Sequence, residues 1–135
     1  MSSTTKFDDP STSPNKDEAL IIKTFSEIIQ RALQSSFGES ASKAIIFILK
    51  EALKEGPCEA FWRNPRTVYS TMIDVFGNGT KVLINALIAD ISRRCGVEMR
   101  PEHLIKLIES GDQSSIEEIR SIIRKICQLY GGERM

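Results

Sequence analysis

From Asp17 onward the apolar residues recur at three- and four-residue steps, and they never alternate over a turn-bounded stretch. A three- or four-residue step returns to one side of an α-helix, whereas a two-residue step returns to one face of a strand. That pattern restricts the chain to an all-α fold. The expected architecture is a compact bundle of five or six helices, built from two related αα-hairpins and a C-terminal helical pair.

The breaks between helices are marked by turn residues. Ile21, Phe25, Ile28, Ile29, Ala32 and Leu33 share one face of a first helix, which Phe37-Gly38 ends. Glycine suits that position because it tolerates the left-handed backbone of a helix C-terminus. A second helix spans Glu39 to Glu55, with Ala41, Ala44, Ile45, Ile48, Leu49 and Ala52 as its stripe, and Gly56-Pro57 stops it. A short loop or single turn then holds Cys58, Ala60, Phe61 and Trp62, with the tryptophan as an anchor over the core. Asn64-Pro65 opens a third helix to Phe76: Asn caps the free N–H groups and Pro suits the first helical position. After Gly77-Asn78-Gly79 a fourth helix runs to Cys95, with Asn78 or Thr80 as its cap. A fifth runs from Arg100-Pro101 to Glu109. A sixth ends at Gly131-Gly132, with Ser114-x-x-Glu117 and Ser115-x-x-Glu118 as candidate capping boxes.

The second and fourth helices are the most apolar and are expected to form the centre. Ile45, Ile48, Leu49, Leu83, Leu87, Ile91, Ile119 and Ile123 are the predicted core. Residues 1–16 read as a disordered polar tail, and 17–132 as a single helical domain. Phe37-Gly38 and Phe76-Gly77 lie 39 residues apart, and at that offset the stripes of the second and fourth helices superimpose. This is the basis for two related hairpins.

Several function classes lose support. Lys and Arg number 18 and Asp and Glu number 18, so the chain has no general attraction for phosphate backbones or anionic lipid. The single His103 and three dispersed cysteines offer no metal-ligand spacing and no catalytic pairing; no cofactor, metal or catalytic residue is expected. An enzyme would need a pocket with convergent polar groups. Cys58, Cys95 and Cys127 read as reduced thiols of a cytoplasmic protein, the alternatives being a Cys95–Cys127 bridge or an intermolecular disulfide. No signal-peptide pattern opens the chain, and no apolar run is long enough to span a bilayer. Gly77-Asn78-Gly79-Thr80-Lys81 lacks phosphate-loop spacing. The helix after it, Val82–Ile91, has only Asn85 and Asp90 as polar groups, which is too apolar a face to read a DNA groove. Arg93, Arg94, Arg120, Arg124 and Lys125 remain as a candidate basic patch.

Phe37-Gly38-Glu39-Ser40, Asn64-Pro65 and Ile73-x-x-Phe76-Gly77-x-Gly79-x-x-Val82-Leu83 follow one another in that order. Together they resemble Nitrosopumilus output domain five, a small archaeal helical module. The resemblance covers about 28–97 and leaves a C-terminal helical hairpin at about 100–130 as an extension. Thr80 departs from the small residue usual after the second glycine of that turn. The family implies an output or accessory of archaeal signalling, with no catalytic residues. The expected function is thus a non-catalytic, cytoplasmic protein-interaction or signalling-output module acting through apolar helix surfaces. Homodimerisation is left open and the protein partner unspecified. The alternative is a nucleic-acid-binding regulator using a local Arg/Lys face.

Overall fold

The computed structural model describes residues 16–134, and the expected tail lies almost entirely outside them. Seven helices follow in order: α1 (Lys16–Phe37), α2 (Glu39–Leu53), α3 (Pro57–Arg63), α4 (Pro65–Phe76), α5 (Gly79–Cys95), α6 (Pro101–Ser110) and α7 (Gln113–Arg134). No strand occurs among the described residues, so the all-α class holds.

Most boundaries follow from the turn residues. Gly38 (φ 89°) and Gly96 (φ 70°) take positive φ, which ends α1 and α5 without the strain a Cβ would bring. Asn64 Oδ1 accepts the Thr67 N–H at 3.3 Å, capping α4 behind Pro65. Four expectations change. The segment after Gly56 is a full short helix, α3. The α7 cap is Asp112, whose Oδ1 accepts the Ser115 N–H at 2.7 Å, while Ser114 and Ser115 lie inside the helix. Neither Asn78 nor Thr80 caps α5; the buried Thr80 hydroxyl instead donates to the Met72 carbonyl at 2.9 Å, tying α5 to α4. Finally, α7 continues through Gly131-Gly132 to Arg134.

The centre is α1, which packs against α2, α3, α5 and α7. It buries Ile22, Phe25, Ile28, Ala32 and Leu33. Around it α5 contributes Leu83, Ile84, Ile88 and Ile91, and α7 contributes Ile119, Ile123 and Ile126. Ala32 is fully buried among Ile28, Ile91, Ile126 and Tyr130, where a larger side chain would push the helices apart.

The expected central role of α2 is a correction. Its only fully buried residues are Ser42 and Leu49. Ile48, a predicted core residue, is 39% exposed, and Ile45 is half-buried. Leu87 is half-buried as well, whereas Leu49, Leu83, Ile91, Ile119 and Ile123 are buried as expected. The two hairpins are therefore not equivalent. Ala44, Ile48 and Ala52 face outward, while their counterparts Leu83 and Ile91 are buried and Leu87 is half-buried. The reason is neighbours: α5 has α1, α4, α6 and α7 around it, whereas α2 lies over α1, α3 and α4.

The interior is not completely filled. An apolar cavity of about 170 Å³, partly open to the outside, takes its lining from all seven helices.

Candidate interaction surface

The outer side of α2 departs from the usual polar exterior. Ala41, Ala44, Ile48 and Ala52 fall at steps of three, four and four and share one exposed strip. Phe47, beside it, is 63% exposed. The sequence expected apolar surplus on this helix but assigned Ile48 to the interior. The signal that would have corrected this is the small size of Ala41, Ala44 and Ala52, which bury little apolar area. Charges of both signs flank the strip: Glu39, Glu51 and Glu55 against Lys43, Lys50 and Lys54, with Lys43 Nζ 3.2 Å from Glu39.

The five residues of the candidate basic patch divide into three settings. Arg93 and Arg94, in the last turn of α5, both turn to Asp90. Arg93 Nη2 donates to one carboxylate oxygen at 2.5 Å and Arg94 Nε to the other at 2.8 Å. Asp90 itself is only 2% exposed. Arg120 and Arg124 lie over the buried Trp62 ring, their guanidinium carbons 5.3 and 5.1 Å from its centre. Arg120 also donates to the Trp62 carbonyl at 3.0 Å. Trp62 is thus the anchor the sequence suggested, closed over by two cations. Lys125 belongs to a third place, the groove beside the start of α6. Four of the five cations are therefore committed to partners inside the fold.

The cysteines are free thiols. Burial pushes the Cys58 thiol up to about 12, partly opposed by a hydrogen bond to Ser26. Burial and then the neighbouring Cys95 push Cys127 up to about 11. Thiols held protonated in this way are poor nucleophiles and poor metal ligands. Among the described residues no group of three or more His, Cys, Asp and Glu side chains could hold a metal. His103 sits at the surface, its Nε2 3.1 Å from Glu118 Oε2 across α6 and α7.

Sequence reasoning did not anticipate the groove between the 97–100 linker, α6 and α7. It gathers Arg100, His103, Lys125 and Glu98 around a space of about 360 Å³. The available signal was spacing: Arg100 and His103 are three residues apart, as are Ile122 and Lys125. No hydroxyl or thiol side chain lines it.

Compared with known protein families, curated proteins and solved structures, the chain matches none. Among the described residues no helix is long and apolar enough to cross a membrane.

Proposed function

We propose that the chain is a non-catalytic protein-interaction module that self-associates through the outer face of α2. The observation that carries this is the exposure of Ile48 on a strip otherwise made of alanines, with Phe47 exposed beside it. Contiguous exposed apolar surface costs solubility and marks contact sites. A second copy suits this face for two reasons. The strip is uncharged along its centre and carries three acids and three bases around it. The whole chain has zero net charge, so two copies approach without long-range repulsion. The arrangement is a two-fold pair in which the same patch meets itself. The turn motifs, which resemble those of the archaeal output module, fit this role, with α2 as the surface that transmits or receives a signal in the cytoplasm.

The interface is small. A 15-residue helix is about 22 Å long and about 10 Å wide, so one face offers roughly 220 Å², well short of the roughly 800 Å² per partner of a stable complex. A weak dimer follows, with a dissociation constant on the order of 10–100 µM. Sedimentation over a range of concentrations tests it. The native chain should pass from monomer to dimer, and Phe47→Glu should remain monomeric with unchanged helicity. A native chain that stays monomeric at a concentration on the order of 500 µM, well above that dissociation constant, refutes self-association.

A further inference from the structure

The groove beside α6 and the apolar cavity share three side chains. Met99, Leu104 and Ile122 line both. All three are half-buried, with one side toward each space. Met99 is the adaptable member: its unbranched thioether changes rotamer more readily than a branched side chain and can open one space into the other.

The chemistry of the two spaces differs sharply. The cavity is bounded by carbon, apart from Ser26, Gln30, Cys58 and Tyr69. The groove carries Arg100 and Lys125, both exposed, and neither forms an ion pair among the described residues. His103, in the same groove, is occupied by Glu118. Glu98 is the one acid lining it, so positive charge is in excess. Arg100 and Lys125 thus set two cations, without ion-pair partners among the described residues, at the edge of an apolar cavity.

We infer that groove and cavity form one binding site for a single-chain amphipathic carboxylate. The head lies between Arg100 and Lys125, and the alkyl tail passes Met99, Leu104 and Ile122 into the cavity. Arginine suits a carboxylate because its planar guanidinium offers two parallel N–H donors. Tail length follows from volume. An apolar cavity of about 150 Å³ holds a benzene, so this one takes about six to eight carbons, and the groove accommodates about two more. A ten-carbon fatty acid is the matching ligand. The site lies apart from the outer face of α2, and its occupancy is read independently of self-association.

Calorimetric titration of the full chain with decanoate below its micelle concentration tests the inference. Decyltrimethylammonium and decanol serve as probes of the head. Decanoate should bind one per chain, at least tenfold more tightly than either probe. Arg100→Glu combined with Lys125→Glu alters two exposed residues, and unchanged circular dichroism would verify the fold. That variant should lose decanoate at least tenfold and gain the trimethylammonium compound. Met99→Trp should shift the preferred chain length from ten carbons toward six. Absence of decanoate binding by the native chain overturns the inference, as do equal binding by the charge-reversed chain and an unchanged length preference in Met99→Trp.

Discussion

Removing Asp90 and removing its two arginines should have unequal costs. Asp90 is 2% exposed, whereas the side chains of Arg93 and Arg94 are 67% and 37% exposed. Asp90→Asn keeps the shape and discharges the buried member. The two guanidinium groups then turn to water, and the loss is that of charge-assisted hydrogen bonds, about 1–2 kcal/mol. Arg93→Ala with Arg94→Ala does the opposite: it strands a buried carboxylate without a counterion, at about 3–5 kcal/mol. That variant also loses two favourable charges at the C-terminus of α5, each worth about 0.3–1 kcal/mol. Adding Asp90→Asn to the double arginine variant should therefore restore stability by about 2 kcal/mol, since the stranded charge is gone. Urea unfolding at neutral pH, followed by the fluorescence of the single buried Trp62, measures all three variants, and equal m-values would confirm comparable transitions. The reasoning fails if Asp90→Asn costs as much as the double arginine variant. It fails equally if the triple variant is no more stable than the double.

Two other measurements bear on the interior and on the α7 cap. At pH 8 a thiol near 12 is ionised to about one part in ten thousand. A disulfide reagent should thus label Cys58 and Cys127 far more slowly in the native chain than in urea, and equal rates would contradict their enclosure. The Asp112 carboxyl is held below its ordinary value first by the Ser115 N–H and then by the Ser110 and Ser115 hydroxyls. A depressed folded value means that the cap contributes fully above about pH 4 and is lost as pH falls through that lower value. Asp112→Asn should flatten the acid limb of a stability–pH curve; an unchanged slope would show that the cap has no such role.

Most helix ends were legible because they are decided locally, the α5 and α7 caps and the end of α7 excepted. Gly38, Asn64-Pro65, Gly96 and Pro101 act through their own backbones, and no distant residue changes what they do. Burial was legible only where a stripe happened to meet neighbours. Ile48 and Ile88 look alike in a sequence, but Ile88 is enclosed and Ile48 lies on an edge helix. Periodicity gives the face of a helix and not what covers it. The same limit explains Thr80, whose hydroxyl partner is eight residues back on another helix. It also explains the basic residues, since Trp62 and Asp90 could be recognised as their partners only once the helices were packed. Arg100 and Lys125 come from separate segments and meet only when α7 lies along α6.

The central position of α1 has a consequence for how the chain is made. The apolar face of α1 is completed in part by α7, which leaves the ribosome after it. The Cys127 thiol donates to the Ile21 carbonyl at 3.6 Å, across 106 residues. At typical elongation rates α1 waits about 5–20 s for that partner to be synthesised. During that interval Ile22, Phe25 and Ile28 have only α2, α3 and α5 to lean on. A chain cut before α7 would expose the part of this face that Ile126 and Tyr130 cover, so premature termination should give an aggregating fragment rather than a smaller version of the bundle.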